Sequence, residues 1–529
     1  MIRLYDTQSH AKRDFHPVEE GKIRMYVCGP TVYNYIHIGN ARTFISFDVI
    51  RRYLMWRGFD VTFVQNVTDV DDKIIKKANE EGRSAAEVAA EYTEAFIADM
   101  HAAGVLDPDI RPRATEEIDA MIDLVGRLVD AGHAYEVEGD VYFGVRSFPA
   151  YGALSNRNVD DLEGGHRELR ADGQGLEGRK RDELDFAVWK AAKPGEPSWD
   201  SPWGKGRPGW HIECSAMSRM YLGLPLDIHG GGSDLVFPHH ENEIAQSEAA
   251  YGETFCNYWM HGGMLQINQE KMSKSLGNFL LLRDVLKTTD ARVLRMLMLQ
   301  THYRSPLDFS DERLDEAASS LERVENFIDR MDWLVKHPVE GEGIGTQAFS
   351  VPLQALREGF VAAMDDDFNT AGALGALFSC INDVNAALGT ASLGWGDIEA
   401  ASDARDAVVE LFGVFGIDEV YNQQRLNDIN HAGNKTVLTH VGLDVGEDGK
   451  THQCIDYVGL LRNNFGWKLV VPADPNQTDR ATRWMLGTPG CICLAMGRSK
   501  VEAVVDAHGD PVFAGGYRFE YGRAVRVRQ

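Results

Sequence analysis

The sequence predicts an α/β protein. A parallel sheet covered by helices carries an inserted connective region, and a helical bundle and a small α/β segment follow. Three observations carry this expectation. Strand-like and helix-like patterns alternate over about the first 130 residues, as a parallel sheet requires. From about residue 311 to 415 the chain is Ala/Leu-rich, with Phe327, Leu334, Leu353, Leu356, Phe360 and Ala363 spaced to bury one helical face. After about residue 421 the texture turns Gly-, Asn- and Asp-rich, with short strand-like runs.

The elements follow in order. Residues 23–28 read as a strand that stops at Gly29-Pro30-Thr31, a strong turn signal. A helix is expected after His37-Ile38-Gly39-Asn40, because Phe44, Phe47, Val49, Ile50, Tyr53 and Leu54 recur at helical spacing. Residues 60–66 give a second strand, and helices continue to about residue 130. Short strands over 134–145 then give way to Gly-, Arg- and Asp-rich sequence around 164–183, which reads as an insertion with a surface loop. Residues 210–235 return to short apolar runs and glycines, and 238–251 look helical. The expected divisions are 1–133, 134–208, 209–310, 311–418 and 419–529.

A length of 529 residues suggests about three to four domains. With 54 Lys plus Arg against 80 Asp plus Glu, the net charge of −26 argues against a nonspecific nucleic-acid coat, which needs basic surface. A specific RNA partner stays compatible with local basic patches. The first residues are charged and show no signal peptide, no run reaches the roughly 18 apolar residues of a bilayer span, and the seven scattered cysteines do not form a disulfide framework. A cytoplasmic, reducing setting without a membrane is expected.

Two segments can bind nucleotide phosphates. Gly39 allows close backbone approach, the helix start offers free N–H groups to an anion, and His37 and Asn40 can donate hydrogen bonds. By itself this tetrapeptide is equally a plain strand–helix turn. Lys271 and Lys274 place two ammonium groups three residues apart with hydroxyls between them, able to clamp a triphosphate or equally to form a solvated loop. A third group is Cys28, Cys214, His239 and Glu243; the last two lie four apart, on one face of a helix. Two thiolates, an imidazole and a carboxylate suit Zn²⁺, although buried Cys is often inert and His239 could merely pack.

Together, and in this order, the first two segments resemble the HIGH and KMSKS signatures of class I aminoacyl-tRNA synthetases. The stretches MYVCG at 25–29, QNVTDVDD at 65–72, GWHIECSAM at 209–217, HGGGSD at 229–234 and FPHHENE at 237–243 narrow the resemblance to the cysteinyl-tRNA synthetases. Asn40 stands where the generic signature has a second His.

The resemblance implies a Rossmann-like sheet. It also implies activation of cysteine with ATP and Mg²⁺ to cysteinyl-adenylate, then transfer to the terminal adenosine of tRNA(Cys) by a monomer. Its zinc ligands fall on Cys28, Cys214, His239 and Glu243, with His240 and Glu241 as local competitors. Gly29, Thr31, Trp210 and His229 are implied to line the cysteine pocket, and Asp234 to help hold adenosine. Trp210 could also be simple core. ATP is implied to meet Thr31, His37, Gly39, Asn40, Asp234, Lys271 and Lys274, of which His37, Asn40, Lys271 and Lys274 carry the catalysis.

Zinc suits this task because cysteine and serine differ too little in size for a pocket to separate, whereas a soft thiolate gains much from direct coordination. A separate editing site is therefore not expected. No covalent nucleophile is needed, since positioning and electrostatic stabilisation suffice. The acidic run Asp69, Asp71 and Asp72 receives no catalytic role.

Residues 311–417, including MDDDFNT at 364–370, resemble the helical tRNA-binding bundle of these enzymes. The small anticodon-contacting domain that normally follows is not recognisable. Instead residues 439–453, 470–478 and 513–522 resemble part of the pyrimidine-binding domain of transketolase. The catalytic glutamate and partner domain of that family are not found, so no transketolase activity is expected. Two other functions remain open at this point: a cysteine ligase acting on an amino sugar, as in mycothiol synthesis, and an inactive binding or scaffold protein.

Overall fold

A computed structural model describes residues 1–162, 179–267, 270–271, 279–341, 343–389, 391–417, 435–439, 467–470 and 491–496. The chain divides into two units, Met1–Asp418 and Glu419–Gln529.

The first unit is organised by a four-stranded sheet of β1 (Lys22–Val27), β2 (Asp60–Gln65), β3 (Leu226–Gly232) and β4 (Cys256–Gly262). The order is β4-β3-β1-β2 and every pairing is parallel. Met25, Tyr26 and Val27 are all fully buried, which is why β1 reads as a continuous apolar run rather than an alternating one. From β1 the chain crosses through helix α1 (Ile38–Trp56) to β2 on one side, while β3 and β4 stack on the other. The strand order thus reverses between β1 and β3. In open parallel sheets the crevice beyond the strand ends at such a reversal is where ligands bind.

Helices α2 (Asp72–Glu81), α3 (Ala85–Ala102) and α4 (Ile118–Asp130) follow β2, as expected. Residues 134–208 contain a second, antiparallel sheet whose strands cover 134–137, 140–143, 186–191 and 206–208. Most of the expected loop over 164–183 lies outside the described residues.

The sequence reading missed helix α5 (Trp210–Leu222) and gave no strand for β3. The two misses have separate causes. In α5, His211 to Ser218 are buried in succession, polar residues included, so no amphipathic period exists to be read. The second half of β3 is Gly230-Gly231-Gly232, which has no β propensity. A Cβ on Gly230 would fall 2.2 Å from the Phe47 ring, so close packing of α1 on the sheet requires glycine there. A π-type turn over Val236–His240 then leads into α6 (Glu241–Tyr251).

A small sheet of strands 265–267, 270–271 and 307–309 and helix α7 (Ala291–Leu299) precede four long helices, α8 (Asp311–Lys336), α9 (Gln347–Asp365), α10 (Thr370–Leu388) and α11 (Ile398–Val414). One hydrophobic core runs without a break from Met25, Phe47 and Tyr53 through Leu297 to Phe327, Phe360 and Leu377, joining sheet and bundle. A second fills the space between α4, the antiparallel sheet, α5 and α6 around Val125, Phe143, Trp189 and Met217. By length and composition α10 could cross a bilayer, with mean hydropathy 1.2. Its Ala373, Leu377, Ile381 and Val384 are instead buried in the bundle.

Of the second unit, strands 435–439, 467–470 and 491–496 are described; they form a parallel sheet with the last in the middle.

Candidate functional site

Four elements converge at the reversal of strand order. Cys28 is the first residue after β1, its N–H donating to Gly230 O of β3 at 3.1 Å. Cys214 comes from α5, His239 from the turn before α6, and Glu243 from the first turn of α6. All four are buried. Cys28 Sγ lies 3.6 Å from Cys214 Sγ and 3.5 Å from Glu243 Oε1, and His239 Nε2 is 2.9 Å from that same Oε1. One donor atom from each residue falls within 4.8 Å of the other three. Two sulfurs on a tetrahedral zinc, each at about 2.3 Å, would be roughly 3.8 Å apart, so the donor spacing fits that ion.

A second set shares Cys28 and Glu243 and adds His229 and His240. His229 Nε2 and His240 Nε2 lie 3.5 and 3.3 Å from Cys28 Sγ. The competitor Glu241 is occupied elsewhere: its carboxylate accepts from Gly152 N at 2.9 Å and Ser155 N at 2.8 Å.

The electrostatics favour a shared ion over isolated charges. Burial pushes the Cys28 thiol well up. Burial also opposes the Cys214 thiolate, but the hydrogen bond from Cys28 and the contact with His239 bring Cys214 down to about 6. For His239 burial disfavours the charged ring, yet Glu243 and Cys214 hold it up at about 10. Unneutralised donors at this depth are costly, and a divalent cation would neutralise them.

The second layer orients these groups. His211 Nδ1 meets His239 Nδ1 at 2.9 Å, which leaves His239 Nε2 to face the cluster. A chain of Thr7 Oγ1, His261 and His240, with links of 2.8 and 2.7 Å, does the same for His240. Burial drives His211 and His240 far below the usual histidine range, so both rings are neutral. None of His211, His261, Asn66 or Thr68 was singled out from the sequence. Asn66 Oδ1 accepts from Gly29 N at 2.9 Å, and Thr68 Oγ1 donates to the buried Glu213 at 2.7 Å. The signal was present in the uncharged residues of the 65–72 stretch, which surround the acidic ones. The acidic residues themselves serve structure: Asp69 accepts from Thr115, Asp71 caps α2, and Asp72 pairs with Lys190 and Arg207.

Around the cluster stand the expected pocket residues. Trp210, half-buried, stacks on His239 with centroids 4.3 Å apart and an interplanar angle of 22°. His229, fully buried, faces Tyr26 and Trp259 across its neighbouring strands, and its Nδ1 has no hydrogen-bond partner among the described residues. Thr31 pairs with Thr68 in an isolated bridge beside Gly29.

On the nucleotide side, the helix begins within the tetrapeptide rather than after it. His37 is the N-cap of α1, its Nδ1 accepting from Asn40 N at 3.2 Å while Asn40 Oδ1 accepts from His37 N at 3.3 Å. This reciprocal capping sets the His37 ring and the Asn40 amide at a helix N-terminus, where an anion is favoured. Gly39 sits in that first turn. Asp234, exposed, lies in the turn that ends β3, with Oδ1 close over Gly232. Lys271 ends the strand 270–271, and Lys274 lies outside the described residues.

Residues 14–319 match the tRNA synthetases class I (C) catalytic domain, 359–418 the DALR domain, and 398–503 the transketolase pyrimidine binding domain. A cysteine–tRNA ligase of Desulforamulus reducens is 53% identical over 390 residues, covering 73% of this chain and 79% of the relative. One from Carboxydothermus hydrogenoformans is 50% identical over 419 residues, covering 79% and 88%. Among solved structures, Mycobacterium tuberculosis methionyl-tRNA synthetase in complex with methionyl-adenylate superposes with a TM-score of 0.56 at 16% identity, over 74% of this chain and 90% of that one. A leucyl enzyme from Agrobacterium radiobacter K84 gives 0.56 at 14%, over 77% and 86%. These two likenesses show the fold alone. With more than half of its length in the catalytic domain of class I, and about half of the aligned residues identical in such relatives, the chain belongs to the cysteine–tRNA ligases, class I aminoacyl-tRNA synthetases whose substrates are an amino acid, ATP and tRNA.

Proposed function

We propose that the chain charges tRNA(Cys) through a zinc-selected cysteine and a nucleotide held at the start of α1. The observation that carries this reading is the convergence of Cys28, Cys214, His239 and Glu243, four buried donors from four separate elements. Bound there, zinc would supply a soft Lewis acid that takes the substrate thiolate in preference to a hydroxyl. The chain's own residues do the rest. Trp210 and His229 wall the cysteine, and Gly29 and Thr31 give its backbone room beside β1. His37 Nε2–H, the Asn40 amide and the N–H groups of the first turn of α1 hold the ATP phosphates. Lys271 and Lys274 offset the charge that develops as pyrophosphate leaves with Mg²⁺. Asp234 contacts the adenosine.

The alternative ligand set, Cys28 with His229, His240 and Glu243, is favoured by the 3.3 Å approach of His240. It has one thiolate instead of two, so the first set suits zinc better.

The regions are read as catalytic halves at 1–133 and 209–310, a connective insertion between them, and a tRNA-binding bundle at 311–418. The remainder, 419–529, is read as a transketolase-like fragment to which no step of the reaction is assigned. A monomeric, cytoplasmic enzyme fits this reading.

The test joins metal analysis of the purified chain to cysteine-dependent ATP–pyrophosphate exchange. One zinc per chain with exchange is expected. Exchange that persists after complete metal removal would overturn the zinc reading, and absence of exchange in the zinc-loaded protein would overturn the whole.

A further inference from the structure

The turn between α9 and α10 is the part of the sequence singled out above that the site does not use. Its three acidic residues each grip a different piece of the catalytic half. Asp365 takes the end of α1, accepting from Tyr53 Oη at 2.7 Å and pairing with Arg57. Asp366 takes Lys12 Nζ at 2.8 Å. Asp367, with no exposed side-chain surface, accepts from Tyr5 N and Tyr303 Oη, both at 2.9 Å, and from Arg304 Nε at 2.7 Å. The next turn adds Thr370 Oγ1, which donates to Leu299 O at 2.7 Å.

The segment gripped by Asp367 leads back to the nucleotide end of α1. Arg42, in the turn after Asn40, is buried and has no acidic partner among the described residues. Its guanidinium donates instead to the carbonyls of Gly263 and Met264 at 2.9 and 2.7 Å, and to those of His302 and Ser305. Residues 265–267 pair with strand 270–271, which ends at Lys271. The α9–α10 turn therefore holds α1 near both ends, directly through Asp365 and through residues 302–305 and Arg42 at the other.

The turn is also strained. Asp367 and Phe368 have φ of 65° and 51°, a left-handed conformation that bulky L residues avoid. Consecutive residues keep such angles only where their surroundings over-determine them, and such sites cluster at functional positions.

We infer that the Asp365–Asp367 turn is a coupling clamp, with Asp367 a positioning residue that sets the helical bundle against the nucleotide site so that tRNA seated on the bundle meets the adenylate. This rests on the reading that the bundle carries tRNA. Cysteine activation needs the sheet, α1 and the zinc and lysine groups gathered beside them, whereas transfer also needs the bundle in register.

Full-length Asp367→Asn, Arg304→Met and Arg304→Lys are compared with the parent, below every melting midpoint. Two readouts are taken: cysteine-dependent ATP–pyrophosphate exchange, and charging of tRNA(Cys) transcript. Asp367→Asn and Arg304→Met are expected to lower the charging kcat tenfold or more while exchange stays within twofold, and Arg304→Lys to restore most of the charging. Arg304 is 30% exposed, so its variants keep the test decisive if Asp367→Asn does not fold. Parallel loss of both activities, or unchanged charging, overturns the clamp. A parent that exchanges but charges no tRNA overturns the tRNA reading and the clamp with it, an outcome separable from failure of the clamp alone.

Discussion

The indole of Trp210 lies against the imidazole of His239 at 4.3 Å, while the other side of that imidazole's chemistry is fixed by His211 at 2.9 Å from its Nδ1. A single histidine is thus both wall-mate of a pocket and candidate metal ligand. Trp210 is the first residue of α5, one turn ahead of Cys214, so the helix delivers both side chains to the same side.

Trp210→Ala should raise the KM for cysteine about two- to tenfold, the range of an aromatic contact worth about 0.5–1.5 kcal/mol. Zinc content should stay at the parent level. Exchange kinetics with varied cysteine, beside metal analysis, check this. Loss of zinc in the variant would make Trp210 part of the metal site's scaffold instead of the pocket.

Cys214→Ser replaces a soft donor with a hard one that is protonated at neutral pH. Bound zinc should fall below the parent's value after dialysis against a weak chelator, and preference for cysteine over serine in exchange should fall with it. Equal zinc retention would shift the ligand set toward His229 and His240.

How much of this site was legible in sequence follows from where each residue sits. Cys28, His37 and Asn40 were legible because they follow an apolar strand run or open a periodic helix, so their place at the sheet's edge could be reasoned. The local element around Cys214 was not, because α5 is buried on all sides and carries no 3.6-residue stripe. His239 and Glu243 were placed by their spacing of four. The roles of the supporting layer were not legible for a different reason: Asn66, Thr68 and His211 stand in the 65–72 and 209–217 stretches, but the partners that give this layer its role lie far apart in sequence, as with Thr7 and His261. Side-chain networks of that kind leave no local pattern.

Gly29→Ala tests the tightness of the turn that follows Cys28. A Cβ at residue 29 would fall 1.7 Å from Asn66 O, a backbone atom that cannot swing away. The forced shift should destabilise the fold by about 1–3 kcal/mol and lower exchange, since Cys28 moves with it. Denaturant melting and exchange together read this out. A variant of parent stability and activity would show that the turn has slack.

Asn40→Ala separates capping from phosphate binding. Loss of half of a capping box costs roughly 0.5–2 kcal/mol, and the helix is anchored elsewhere by its buried face. If the Asn40 amide also holds phosphate, exchange should fall tenfold or more and the KM for ATP should rise. Loss of stability without a change in ATP kinetics would leave Asn40 a cap alone.

Asp48 offers a pH test of the joint between α1 and α7. Its buried carboxylate accepts from the buried Arg295 at 2.6 Å and Arg52 at 2.9 Å and from the partly buried Leu106 N at 3.0 Å. Burial opposes the charge, but the two guanidiniums outweigh it and hold the carboxyl below its ordinary value. An unfolded Asp titrates near about 3.9. A depressed folded value means the contribution is complete above that pH and is lost as pH falls through the lower folded value. Asp48→Asn removes the carboxylate charge set between the two buried guanidiniums of Arg52 and Arg295, which keep their carbonyl acceptors, and should cost about 3–5 kcal/mol at neutral pH. The stability gap between parent and variant, measured by denaturant melts, should stay constant from about pH 7 down to 5 and narrow only below about 4. A gap that closes between pH 7 and 5 would mean that Asp48 is not held in its charged form by Arg295 and Arg52.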